Sequence, residues 1–136
     1  MRTKIEVNKF ARIENATIYL DEFLLFVGDN NSGKTLLMEL LYAIVELIQK
    51  WKADYSNVKM TETEYVKYIR FDQNWYKDVE NKINSYLEEN KDKFIIDNFK
   101  SRIPLESVSI KFEDCEDFFY IAPISGNVSL EKQYPN

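Results

Sequence analysis

The chain has 136 residues, a length suited to one domain, and its 45% hydrophobic and 15% aromatic content supports a folded core rather than disorder. A net charge of −5, no histidine and one cysteine exclude imidazole general bases, His- or Cys-based zinc sites, Ser-His-Asp triads and an intrachain disulfide. The acidic balance also argues against a generally basic nucleic-acid-binding surface, though not against a local patch.

The opening Met1-Arg2-Thr3-Lys4 is charged and meets no apolar run of the signal-peptide kind. Residues 4–10 alternate, with Ile5 and Val7 set against Lys4, Glu6 and Asn8, which is the period of a half-buried strand. Glu14-Asn15 reads as a turn, after which 16–20 alternates again, with Ala16, Ile18 and Leu20 on one face. Asp21-Glu22 turns the chain into the short apolar run Leu24-Leu25-Phe26-Val27, a buried strand. Next comes Gly28-Asp29-Asn30-Asn31-Ser32-Gly33-Lys34-Thr35, and then a helical pattern to about Lys52, with Leu36, Leu37, Leu40, Leu41, Ile44, Val45 and Ile48 on one broad face. That helix is the longest hydrophobic stretch; Glu39 and Glu46 interrupt it, and it is too short and too charged to span a bilayer. The expectation is a soluble, cytoplasmic protein with Cys115 as an ordinary reduced thiol.

The octet from Gly28 to Thr35 spells G-x-x-x-x-G-K-T, the P-loop or Walker A pattern, between a strand and a helix as the chemistry needs. A loop in that place can aim several backbone N–H groups at an anion, and Gly28 and Gly33 permit tight curvature and close approach of backbone to phosphate. The unpaired N–H groups and positive end of the helix favour negative charge. Gly28, Asn30, Asn31, Ser32, Gly33, Lys34, Thr35 and Leu36 form the expected nucleotide-contacting set. Within it Lys34 is the catalytic cation, reaching the β- and γ-phosphates, and Thr35 supplies the hydroxyl for Mg²⁺.

Residues 53–60 form a polar connection. Thr61-x-x-Glu64 matches a capping box and predicts a helix over 62–71. A second helix is predicted over 74–90, from the stripe Trp75, Val79, Ile83, Tyr86 and Leu87, and a short third over 93–100. The aromatics Tyr65, Tyr68, Phe71, Trp75 and Tyr76 are expected as core under a helical lid rather than as a base-stacking platform, and the mixed charges around them as a solvated face. After Pro104 the pattern returns to strands: 107–112 with Val108, Ile110 and Phe112 on one face, a turn at Glu113-Asp114-Cys115-Glu116, 118–121, and a turn at Gly126-Asn127 into 128–130. These read as an antiparallel meander. The expected organisation is therefore 1–52 for strands, P-loop and first helix, 53–104 for a helical insertion, and 105–136 for antiparallel strands.

In this order the pieces resemble the N-terminal part of the SMC-like, ABC-type ATPases. The nearest likeness is to the AAA-labelled ATPases of the overcoming-lysogenization-defect kind, common in bacterial and phage-defence systems. The resemblance rests on Asp29 to Lys34, on Lys4-Ile5-Glu6-Val7 and Asn8-Lys9-Phe10, and on Ile13-Glu14-Asn15-Ala16; it covers the first 50 residues well and the later strands loosely. It implies an α/β fold, the N-terminal lobe of a P-loop NTPase with an antiparallel meander and an inserted helical segment. It also implies ATP and Mg²⁺ as ligands, held in a homodimer or with a partner chain that completes the site. Members often carry Arg directly after the first-strand Phe, contacting phosphate; here that place is Ala11, and Arg12 follows one later as a weak substitute.

Hydrolysis in this family also uses an acidic pair ending an apolar strand (Walker B) and a glycine-rich signature. Ile95-Ile96-Asp97 is the nearest approach to the first, short and in a helical context, and Phe118-Phe119-Tyr120-Ile121 runs into Ala-Pro. The one glycine outside the P-loop is Gly126, so no signature is spelled. The resemblance thus implies a domain portion with little turnover alone. Two other readings stand beside it. A GTPase would need Asn-Lys-x-Asp, which Asn8-Lys9-Phe10-Ala11 and Asn90-Lys91-Asp92-Lys93 fail to close, and a small-molecule kinase would bring an Arg-rich lid where only Arg70 and Arg102 follow Arg12. The other is a non-catalytic interaction module with a relic P-loop. The downstream output is not written in these residues.

Overall fold

The computed structural model describes residues 2–20, 34–52, 58–123 and 131–133. Strands β1 (Arg2–Phe10) and β2 (Ile13–Tyr19) form an antiparallel hairpin in which Phe10 faces Ile13. The turn is therefore Ala11-Arg12, not Glu14-Asn15, which lies within β2 with Asn15 opposite Asn8. The reversal is made without glycine: Lys9 and Ala11 take φ of 50° and 52°, a left-handed conformation that costs an L-residue roughly 1–2 kcal/mol. Tertiary bonds hold it there, since the Ala11 N–H donates to the Pro104 carbonyl at 3.0 Å and the Glu106 N–H to the Asn8 carbonyl at 3.1 Å.

The alternation in β1 works as expected. Ile5, Val7 and Phe10 are fully buried. Strand β5 (Ser107–Glu113) lies antiparallel on the other side of β1, giving the order β2-β1-β5, with Ile5 opposite Ile110 and Val7 opposite Val108. Such apolar cross-strand pairs stabilise a sheet by roughly 0.2–1 kcal/mol each. Helix α1 (Lys34–Lys52) buries Leu37, Leu40, Leu41, Ile44 and Ile48 in the same core and turns Tyr42 outward. Its last turn carries Lys50 and Lys52, which complement the negative end of the helix dipole, and the Lys52 ammonium sits 5.0 Å from the Phe112 ring centre.

A second antiparallel sheet corrects two expectations. It contains β3 (Lys59–Glu62), β4 (Val66–Phe71), β6 (Phe118–Pro123) and β7 (Glu131–Gln133) in the order β3-β4-β6-β7. The helix predicted over 62–71 is thus a hairpin, and the stretch expected to be a helical insertion holds two strands beside its helices. Thr61, read as a cap, faces Tyr68 in the ladder. Thr63 makes the turn instead: its Oγ1 accepts the Val66 N–H at 3.2 Å and donates to the Val66 carbonyl at 3.1 Å. The winning signal is the period of two in Val66-Lys67-Tyr68-Ile69-Arg70-Phe71, which buries Ile69 and Phe71 and exposes Tyr68 and Arg70. The meander also fails as drawn. β5 pairs with β1, β6 pairs with β4, and the chain crosses between sheets past Asp114, whose φ is 54°. An Arg70–Asp117 ion pair secures that crossing and raises the Arg70 pKa further. The expected strand over 128–130 lies outside the described residues.

Helix α2 (Gln73–Glu89) starts on Asp72, whose Oδ1 accepts the Trp75 N–H at 3.1 Å, and Trp75, Val79, Ile83 and Leu87 form the buried stripe that the spacing predicts. Helix α3 (Lys91–Phe99) follows and stops at Lys100, left-handed at φ 55°, with its N–H on the Ile96 carbonyl at 2.8 Å. Of the five aromatics expected in the core, Phe71, Trp75 and Tyr76 are there. Phe71 stacks on Phe118 with centroids 4.8 Å apart, and Trp75 meets the Phe71 ring edge-on at 4.7 Å. Tyr65 and Tyr68 are at the surface instead, on the hairpin turn and the outer face of β4.

Cys115 lies half-buried beside this cluster, and burial pushes its thiol above the ordinary range. The thiolate is the nucleophile. Iodoacetamide should therefore alkylate the native chain at pH 8 more slowly than the urea-unfolded chain; equal rates would contradict this environment. The folded pKa is the higher one, so this contribution to stability is present below the unfolded pKa and is lost as pH rises through the folded value.

Candidate functional site

The residues that spell the site divide in two. Gly28, Asn30, Asn31, Ser32 and Gly33, with the strand expected before them, lie outside the described residues. The receiving helix is described. Lys34 is the first residue of α1, Thr35 is exposed in its first turn, and Leu36 is half-buried against the core. Directly behind them Leu37 is 3% exposed and Leu40 and Leu41 are fully buried, so the start of the helix is clamped by its apolar face.

The first turn of α1 contains no acidic residue. The N–H groups of its first residues have no intrahelical acceptor, and no carboxylate of that turn neutralises the positive end of the dipole. Such an end suits an anion. A magnesium ion asks little more of the protein: it keeps several waters and takes phosphate oxygens, so one exposed hydroxyl such as that of Thr35 fits the donor set. Among the described residues no group of three or more His, Cys, Asp or Glu could hold a metal by itself. Arg12, the weak substitute for a phosphate-contacting arginine, is exposed on the β1–β2 turn.

Ile95-Ile96-Asp97, the nearest sequence approach to an acid-ended strand, is helical. Ile95 is buried in α3, Ile96 is 39% exposed, and Asp97 pairs with Lys93 at 3.6 Å along the helix surface. Strand β6 ends in Ala-Pro as read.

Sequence reasoning missed the polar residues that join α2 to β5. The Asn84 side chain donates to the Ile110 carbonyl at 2.9 Å and accepts the Ile110 N–H at 2.8 Å. Glu80, 5% exposed, accepts the Phe112 N–H at 2.9 Å on Oε1 and the Lys77 ammonium at 2.7 Å on Oε2. The available signal was one acid and one amide spaced i, i+4 beside the apolar stripe of α2. These residues are structural: they carry the sheet that stands beside α1.

A family model described as AAA ATPase domain matches residues 1–130. No curated protein and no solved structure matches the chain. No helix among the described residues is long and apolar enough to cross a membrane.

Proposed function

Because the chain belongs to the AAA ATPase domain family, whose general property is ATPase-type nucleotide binding, we propose that it binds ATP with Mg²⁺ at Gly28 to Thr35 and acts in the SMC-like manner. Gly28, Asn30, Asn31, Ser32 and Gly33 wrap the phosphates with backbone N–H groups, joined by those of Lys34, Thr35 and Leu36 at the helix start. Lys34 is the catalytic cation on the β- and γ-phosphates, and Thr35 is the protein's ligand to the metal. Mg²⁺, held there by Thr35, would supply charge neutralisation at the phosphates. A partner chain supplies the acidic Walker B group and the signature segment, which a second copy of these residues does not spell, so that hydrolysis belongs to the assembly. The spelling Asp29-Asn30-Asn31-Ser32-Gly33-Lys34 and the segment from Lys4 to Phe10 support placing the system among the bacterial or phage-defence ATPases.

The observation that carries this reading is the junction itself: the Lys of G-x-x-x-x-G-K-T opens a well-anchored helix whose first turn is free of acid. Calorimetric titration with Mg·ATP and Mg·GTP tests it. Saturable binding of ATP, weaker binding of GTP and turnover near the blank are expected of the 136-residue chain. Binding of neither nucleotide would favour the relic-loop module, and a GTP preference would favour another class of P-loop NTPase.

A further inference from the structure

A cleft of about 560 Å³ opens between the β1–β2 hairpin, the start of α3 and the return from α3 into β5. Its volume falls in the range of small-ligand sites, roughly 300–1,000 Å³. The wall is apolar. Ile95 and Leu105 are buried in it, Ile103 is half-buried, and Ile96 is 39% exposed.

The rim is cationic and comes from three elements. Lys9 of β1 places its Nζ 3.4 Å from the Glu106 Oε2, and Lys91 at the start of α3 donates from its Nζ to the Glu106 backbone carbonyl at 2.8 Å. Two ammonium groups thus converge on one residue that carries one carboxylate. Arg102 adds a third cation, exposed, with no hydrogen bond or ion pair engaging it among the described residues. Against these three stand the carboxylates of Glu106 and Asp92. The surplus positive charge therefore sits at the mouth, where a free guanidinium can take a carboxylate or phosphate in two parallel bonds.

The cleft is also pre-built. The hydrogen bonds from Ala11 to Pro104 and from Glu106 to Asn8 fix the return segment to the hairpin at both ends of the wall, and the left-handed Lys100 fixes where that segment leaves α3. A site held this way loses little freedom on binding. Among the described residues no aromatic ring lines it, which disfavours a nucleobase.

We infer that this cleft is a binding site for a small amphipathic anion, with a phosphate or carboxylate head on Arg102, Lys91 and Lys9 and a short aliphatic body against Ile95, Ile96 and Ile103. None of the described lining residues belongs to Gly28 to Thr35, and ligand entry there does not depend on nucleotide.

Hexyl phosphate, hexanoate and 1-hexanol, titrated into the full chain by calorimetry and ligand-observed NMR, test the inference. Saturable binding of one or both anions with no saturable binding of hexanol is expected, and the comparison of the two anions tells which head is preferred. Arg102→Gln should weaken binding about tenfold, the effect of removing one charge-assisted contact. Ile96→Ser should also weaken it, through the body rather than the head. Both residues are exposed, so thermal melts of the variants should match the parent. Saturating Mg·ATP should leave hexyl phosphate bound, and Lys34→Ala should not change its affinity. Equal binding of hexanol, indifference to Arg102→Gln, or displacement by Mg·ATP would each overturn the inference, the last by assigning the cleft to the nucleotide.

Discussion

Lys34→Ala should abolish measurable Mg·ATP binding while leaving the fold as stable as the parent, or slightly more so. The two halves of that statement have separate physical origins. At a phosphate site the lysine is the point charge facing the β- and γ-phosphates, and removing one partner of a desolvated charge pair costs about 2–5 kcal/mol. That corresponds to a loss of affinity on the order of 30- to 5,000-fold. In the free protein the same lysine stands in the first turn of α1, at the positive end of the helix, where a cation is unfavourable by about 0.3–1 kcal/mol. Alanine is also the best helix former. The buried anchors Leu37, Leu40 and Leu41 are untouched by the substitution. Loss of binding with an unchanged melting temperature is therefore the expected pair of results. Thr35→Ala should keep some nucleotide binding and lose most of its dependence on Mg²⁺. A Lys34→Ala chain that binds Mg·ATP as the parent does would remove the P-loop from the account altogether.

The parts of this molecule that could be read from sequence are those in which side-chain period decides structure locally. Ile5 and Val7 alternate and are buried, the leucines of α1 repeat at helical spacing and are buried, and Trp75, Val79, Ile83 and Leu87 form the stripe they spell. The failures share a cause. At Ala11, a left-handed residue without glycine gives no local cue, because the bond that holds it comes from Pro104, far along the chain. At Thr61 a four-residue capping signal competed with a six-residue strand period, and packing of Ile69 and Phe71 decided for the strand. The partition of β5 and β6 between two sheets is a choice of tertiary partner, which neither the alternation of β5 nor the continuous apolar run of β6 spells. The site shows the same division. The chemistry proposed for Gly33, Lys34 and Thr35 is argued from residue type and order, whereas the cleft bearing Arg102 exists because three distant segments meet.

Asn84→Leu should destabilise the chain by about 1–3 kcal/mol, although leucine suits the helix better than asparagine does. The reason is the outer edge of β5. Ile110 faces Ile5 across the sheet, yet both its N–H and its carbonyl are met by the Asn84 side chain, so they point away from β1. Two residues further the Phe112 N–H is met by Glu80. Two strand residues advance roughly 6.6–6.8 Å and four helix residues about 6 Å, so side chains spaced i, i+4 on α2 fall in step with alternate peptides of β5. The helix thereby stands in for a neighbouring strand on an edge that would otherwise be open to pairing with another chain. Asn84→Leu leaves a buried donor and a buried acceptor without partners, and a hydrophobic side chain cannot compensate either. Glu80→Gln should be mild, since an amide oxygen still accepts from Phe112, while Glu80→Leu should approach the cost of Asn84→Leu. The two losses should not add, because both act on one strand edge through one helix. Urea midpoints give the energies. Amide exchange gives the mechanism: Ile110 should exchange faster in Asn84→Leu while the Phe112 amide is less affected, and Glu80→Leu should reverse that order. A variant with the parent's midpoint and unchanged Ile110 exchange would mean that β5 is sealed by packing alone.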